Sequence, residues 1–142
     1  MGEKTWGYEF RDHVADVRIR AWGNGFEETL GALTSAIWRY VLGDAEFPAN
    51  RSWGVSVEGQ DIDELVVGFL NEQIYLYDSE GLVPVCVNSL DIKESDGGYR
   101  LEAVLEGSSL EEIPFLPKRQ VKAATYHELV VRPELVEVTL DV

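Results

Sequence analysis

Between Phe26 and Asp78 the apolar residues fall twice into a helical period, and each stripe follows a short segment in which apolar and polar residues alternate. That repeated change of period, from two to about 3.6, restricts the chain to folds in which helices with one apolar face cover a sheet. In the first copy Val17, Ile19 and Ala21 alternate with Arg18, Arg20 and Trp22, which predicts a strand. Phe26, Leu30, Leu33, Ile37, Tyr40 and Val41 then recur at spacings of three and four. Asn24 is placed to cap this helix, Glu27 stands where a capping box takes an acid, and Gly43 marks its end. In the second copy Trp53, Val55 and Val57 alternate ahead of a helix opened by Asp61 and Glu64. Ile62, Leu65, Val66, Phe69, Leu70, Ile74 and Tyr77 carry that helix to about Asp78.

Hairpins complete the pattern. The run Val83 to Ile92 and the alternation of Tyr99, Leu101, Ala103 and Leu105 flank Ser95, Asp96, Gly97 and Gly98, which tolerate the positive φ of a tight turn. Val121 to Val131 and Val136 to Val142 flank a second turn at Arg132, Pro133 and Glu134. The expected fold is an α+β layered domain with two helices on mainly antiparallel sheet, built from two nested strand, helix, strand, strand modules. One domain spans residues 1–142, with residues about 50–107 forming the inserted module. Ser108 to Arg119, with Pro114 and Pro117, reads as the connection out of that module and is expected to be mobile or partner-facing.

Charge narrows the function. With 12 basic and 26 acidic residues the net charge is −14, which repels a phosphate backbone and excludes strong direct binding of RNA or DNA. The same field attracts divalent cations or a basic partner surface. No apolar run reaches the roughly 18 residues of a membrane helix, and Met1 to Phe10 carries charges where a secretory signal is apolar, so a cytoplasmic protein without membrane contact is expected. The single cysteine, Cys86, lies in an apolar run and is expected to be buried and inert. Gly23 to Gly25 lacks the spacing and the lysine of a phosphate loop, and no G-x-S-x-G elbow is present.

Two carboxylates remain as candidates for chemistry. Along the last strand Val136, Val138, Leu140 and Val142 share one face, which leaves Glu137, Thr139 and Asp141 on the wetter one. Asp16 shares the face of Arg18 and Arg20 at the start of the first strand. Were those strands antiparallel neighbours, the start of one would meet the end of the other and the two acids would converge. Calcium tolerates irregular oxygen coordination, so Asp16, Asp141, a carbonyl from Val142 and water suffice for a modest site. His13 and His127 lie far apart with no cysteine cluster to assist them, which argues against a closed zinc site.

Tyr8 to Ala21, reading YEFRDHVADVRIRA, resembles the N-terminal signature of the archease family, in which Asp-His, a residue pair and Asp precede an alternating strand. Glu64 to Asp78 (ELVVGFLNEQIYLYD) is similar to that family's second helix, Val121 to His127 (VKAATYH) to its late Lys-Ala-x-Thr-Tyr-His motif, and the final LDV to its closing strand. The resemblance implies an archease-type fold and a non-catalytic accessory protein. Its implied partner is the GTP- and manganese-dependent RNA ligase of tRNA splicing and repair, whose guanylylation and multiple turnover it promotes. GTP and RNA then belong to the ligase, and this chain meets RNA only through it. Residue by residue, the implied metal ligands are Asp16, Asp141 and the main-chain oxygen of Val142. Asp12 and His13 are implied supports of that site, Lys122 a charged contact with the ligase or its phosphates, and His127 a partner contact or structural residue. Val14 departs from the family's usual Thr, and the loop Phe115 to Gln120 lacks the His that often precedes the Lys motif. Two other functions compete: a metal-dependent hydrolase with His13 as base, and a chaperone-like binding module using exposed tryptophans such as Trp22.

Overall fold

The structure of the chain is a computed structural model that describes residues 5–12 and 15–142. Strands β1 (Gly7–Asp12) and β2 (Asp16–Trp22) lead into helix α1 (Phe26–Leu42). Strand β3 (Arg51–Gly59), helix α2 (Ile62–Glu80), and strands β4 (Leu82–Ser95) and β5 (Gly98–Ser109) follow. A short 3-10 turn, Leu110–Glu112, precedes β6 (Ala123–Arg132) and β7 (Leu135–Asp141). The strands form two antiparallel sheets, in the orders β1-β2-β7-β6 and β3-β5-β4. The fold is therefore α+β, as the periodicity predicts. The chain leaves the first sheet after α1, builds the second sheet completely, and returns to finish the first.

Alternation decides which face of each strand is covered. Val17, Ile19 and Ala21 of β2, Val136, Val138 and Leu140 of β7, and Leu101, Ala103 and Leu105 of β5 are all buried. Leu30, Leu33 and Ile37 of α1 and Leu65, Phe69 and Leu70 of α2 meet them in one core. Burying each of these large side chains stabilises the fold by about 1.5–3 kcal/mol before conformational entropy is set against it. α1 packs against β2 of the first sheet and β4 of the second, whereas α2 packs against β3 of the second and β6 of the first. Each helix thus joins both sheets. Between them lies a buried polar tie: Trp38 Nε1 donates to Gln73 Oε1 (2.9 Å), and Gln73 Nε2 donates to Thr34 Oγ1 (3.1 Å). These three residues satisfy one another where an unpaired polar group is costly.

The ends of α2 follow the expected chemistry. Glu64 N donates to Asp61 Oδ1 (2.8 Å), and Gly81 at φ 66° closes the helix by donating to the carbonyls of Leu76 and Tyr77. α1 departs from it. Its N-cap is Gly25 at φ 110°, with no side-chain cap, and Asn24 is exposed. Glycine is chosen there because the chain turns from β2 into the helix through a backbone conformation that a side chain disfavours.

Further corrections concern exposure. β1 was not evident from the periodicity. It is a six-residue edge strand whose Phe10 ring meets Tyr40 of α1 (5.9 Å between centroids). Cys86 is exposed rather than buried, because β4 slips its register against β5 between Pro84 and Cys86 and turns that residue outward. Partial burial and the nearby Glu106 carboxylate nevertheless push its thiol pKa up, so it stays protonated. Trp22 is half-buried under the close approach of Gly7, with the Arg20 guanidinium 5.7 Å from its ring. The stretch after β5 is pinned to the end of α1: Lys118 N and Arg119 N both donate to Val41 O, and Phe115 stacks edge-on against Phe47.

Candidate functional site

β2 and β7 are the two inner strands of the first sheet, and their antiparallel register sets Asp16 directly opposite Asp141. The convergence argued from alternation is thus present, with both carboxylates on the face that also carries Arg18, Arg20, Thr139 and Glu137. Asp141 is exposed and Asp16 is half-buried. One carboxylate oxygen, Asp16 Oδ1, is buried without a hydrogen-bond partner among the described residues. Among the described residues neither acid has an ion-pair partner, although two arginines share their face.

Those arginines are committed elsewhere. Arg18 Nη2 donates to Glu137 Oε2 (2.8 Å) and to the carbonyl of Glu128 (2.6 Å), while Arg18 Nη1 donates to Thr139 Oγ1 (3.0 Å). Arg20 Nε lies 3.2 Å from Glu137 Oε1. Glu137 therefore collects two guanidinium groups, among them that of Arg18, the arginine two residues from Asp16. This arrangement also buries Thr139, which strand alternation alone puts on the wet face. A register shift between Thr125 and Val130 lets β6 bulge across the Arg18 guanidinium. Glu128 in that bulge takes φ 51°, uncommon for a residue with a side chain.

The remaining candidates are dispersed around this centre. Lys122 is exposed, and its backbone N–H donates to the carbonyl of Asp141 (2.8 Å), so β6 starts beside the acid pair. Asp141's own carbonyl thus already accepts one hydrogen bond, and the main chain of half-buried Val142 is the next oxygen along. His127 is exposed on the β6 bulge, with Nε2 3.8 Å from Glu128 Oε1 and its N–H directed to Thr125 Oγ1 (3.3 Å). The backbone of Asp12 pairs with Val17 at the end of β1, and His13 and Val14 lie outside the described residues. Sequence reasoning missed the Arg18 cluster and the bulge. The pairing of Arg20 with Glu137 was implicit in the register, but nothing in the spacing announces the four residues of β6, Tyr126 to Leu129, that fall between its paired positions.

Tyr126, also on the bulge and exposed, faces the acidic start of α2. Partial desolvation and then the Glu64, Asp61 and Asp63 carboxylates raise its phenol pKa. Among the described residues no three His, Cys, Asp or Glu side chains gather to hold an ion, so any cation here depends on the carboxylate pair, main-chain oxygens and water.

The model of the Archease protein family (MTH1598/TM1083) matches residues 8–142. The chain belongs to the archease family. Protein archease of Pyrococcus abyssi is 33% identical over 126 residues, covering 89% of this chain and 87% of that protein. Protein archease of Pyrobaculum neutrophilum is 34% identical over 128 residues, covering 88% and 85%. The solution structure of Methanobacterium thermoautotrophicum protein 1598 superimposes with a TM-score of 0.76 at 24% identity, covering 96% of this chain and 99% of that one, and so shares the archease fold. No helix among the described residues is long and apolar enough to cross a membrane.

Proposed function

We propose that this archease is a non-catalytic, metal-binding accessory protein that activates a GTP- and manganese-dependent tRNA-splicing RNA ligase, promoting its guanylylation and multiple turnover. The observation that carries the metal part is the pair of opposed carboxylates with an orphaned, buried Asp16 Oδ1. Like charges directly opposite in an antiparallel pair destabilise it, and a buried carboxylate oxygen without a partner adds to that cost. A hard divalent ion removes both penalties. Asp16, Asp141 and the main-chain oxygen of Val142 offer oxygen alone, which suits calcium better than a softer ion. Bound there, the ion supplies positive charge and ties the start of β2 to the end of β7.

The partner assignment rests on family membership and on charge. A chain at −14 does not hold an RNA backbone by itself, so RNA is met through the ligase, in the cytoplasm. Exposed Lys122, on the residue whose N–H holds the Asp141 carbonyl, is the charged contact with the ligase or its phosphates. His127 is the contact on the neighbouring bulge, and Asp12 and His13 are assigned as supports of the metal site by the family signature alone.

The test is a multiple-turnover RNA ligation assay with the GTP-dependent ligase of the same organism and substoichiometric amounts of this protein. Stimulation by the unaltered chain, lost in Asp16→Ala together with calcium binding in a titration calorimeter, is expected. Stimulation that survives Asp16→Ala undiminished removes the metal from the mechanism. Absence of any stimulation under GTP-limited conditions removes the ligase, and returns the hydrolase and chaperone-like readings.

A further inference from the structure

The two sheets end in four edge strands, and three of these are blunted. β1 spans only six residues. β4 contains Pro84 and breaks register twice, with Ser35 Oγ donating to its Val85 carbonyl (3.4 Å). β6 bulges between Thr125 and Val130, and the Asn71 side chain takes both backbone groups of Ala124, accepting from its N–H (2.7 Å) and donating to its carbonyl (3.2 Å). Bulges, proline, short length and side-chain cover are the devices by which proteins stop an edge from recruiting another strand. β3 has none of these, and its two charged residues, Arg51 and Glu58, stand toward its ends. It runs nine residues, Arg51 to Gly59, in unbroken register with β5, and no other described segment bonds to its outer side.

The sequence of that edge, RSWGVSVEG, is self-complementary. About a two-fold axis at Val55, antiparallel pairing sets Trp53 opposite Val57 of the second copy, Gly54 opposite Ser56, Ser52 opposite Glu58 and Arg51 opposite Gly59. That register makes two aromatic to β-branched pairs and two hydroxyl to carboxylate pairs, with no like charges opposed. Trp53 and Val57 are each half-buried in the single chain, so pairing covers apolar surface that is now partly wet. The two charged residues of the edge itself are already paired within the chain: Arg51 lies 2.9 Å from Glu112, and Glu58 lies 3.1 Å from Arg100. A basic partner strand thus finds no unpaired acid on β3, which favours a second copy.

We propose that two copies of this chain join edge to edge through β3, making one continuous six-stranded sheet across an isologous interface. The contact is small, so association is weak and concentration-dependent. Raising ionic strength screens the mutual repulsion of two acidic chains and strengthens it, the opposite of what a basic partner strand shows.

Sedimentation equilibrium of the full chain tests this. The unaltered protein is expected to show a monomer–dimer equilibrium that shifts toward dimer with added salt. Ser52 is exposed and lies opposite Glu106 of β5, so circular dichroism and urea unfolding are used to check that each variant keeps the fold. Ser52→Lys puts a cation opposite Glu58 twice per dimer and tightens association by about two- to thirtyfold, whereas Ser52→Glu loosens it by a comparable factor. A chain that remains monomeric up to millimolar concentration overturns the proposal. So does a dimer that the two variants leave unchanged or shift in the same direction, since it then forms through another surface.

Discussion

The two sheets repeat one arrangement with opposite electrostatics. In the first, β2 leads into α1 and pairs with the second strand of a hairpin, β7, so that Asp16 faces Asp141. In the second, β3 leads into α2 and pairs with the second strand of a hairpin, β5, so that Arg51 faces Gly107. Arg51 is held there by Glu112, which also accepts from Asn50 (2.7 Å). The same corner of the same motif is therefore an uncompensated acid pair in one sheet and a neutralised, hydrogen-bonded cluster in the other. The repeated scaffold positions its corners equally well. What separates the candidate site from its counterpart is that Arg18, the arginine nearest the acid pair, is engaged by Glu137 instead.

The comparison breaks most severely at the joint between the two modules. Gln73→Ala strips both partners from the buried tie and leaves the Trp38 indole and the Thr34 hydroxyl unpaired beside a cavity. It is expected to cost about 2–5 kcal/mol of unfolding free energy, read by urea denaturation. Calcium sharpens the contrast between the corners. Saturating it at about 100 times its dissociation constant is expected to stabilise the chain by about 2.7 kcal/mol. Asp16→Ala abolishes that gain and Arg51→Ala preserves it, with the thermal unfolding midpoint as the measurement. Without metal the corners respond in opposite directions. Asp16→Asn relieves the opposed charges and stabilises by about 0.2–1 kcal/mol, whereas Arg51→Ala lowers the midpoint by releasing Glu112.

The smallest expected effect is the pH response of the second corner. Hydrogen bonds from Asn50 and then Arg51 hold the Glu112 carboxyl below its ordinary range. A depressed folded-state pKa contributes stability above the unfolded value that is lost as pH falls through the folded one. Arg51→Ala flattens that acid limb, and an unchanged acid limb in the variant shows that the corner is not neutralised as described.

Much of this was legible in the residues. Both helices, both hairpins and the outward face shared by Asp16 and Asp141 follow from periodicity, because burial on one side imposes it. The capping of α2 by Asp61 was readable, since the side chain itself makes the bond, whereas α1 is entered through a glycine whose signal is only a backbone angle. β1 was too short and too near the start of the chain to show a period. Cys86 and Thr139 were misplaced for different reasons: an apolar run does not reveal that β4 slips its register and turns Cys86 outward, and alternation assumes an open solvent face at Thr139 that the Arg18 guanidinium covers. Alternation suggested Asp16 and Asp141 only on the supposition that their strands are antiparallel neighbours, and the family motifs independently singled out the same two among 26 acidic residues.

The interleaved path of the chain also sets an order of events in synthesis. β3, α2, β4 and β5 are contiguous, and their sheet is complete once residue 109 has emerged from the ribosome. β2 must instead wait for β7, a separation that takes roughly 6–25 s to translate. During that interval Asp16 stands on a strand whose neighbour has not been made, and no pair of acids yet exists. The corner that holds the acid pair is thus among the last parts of the protein to form, and its appearance marks the moment at which the nascent chain closes its first sheet.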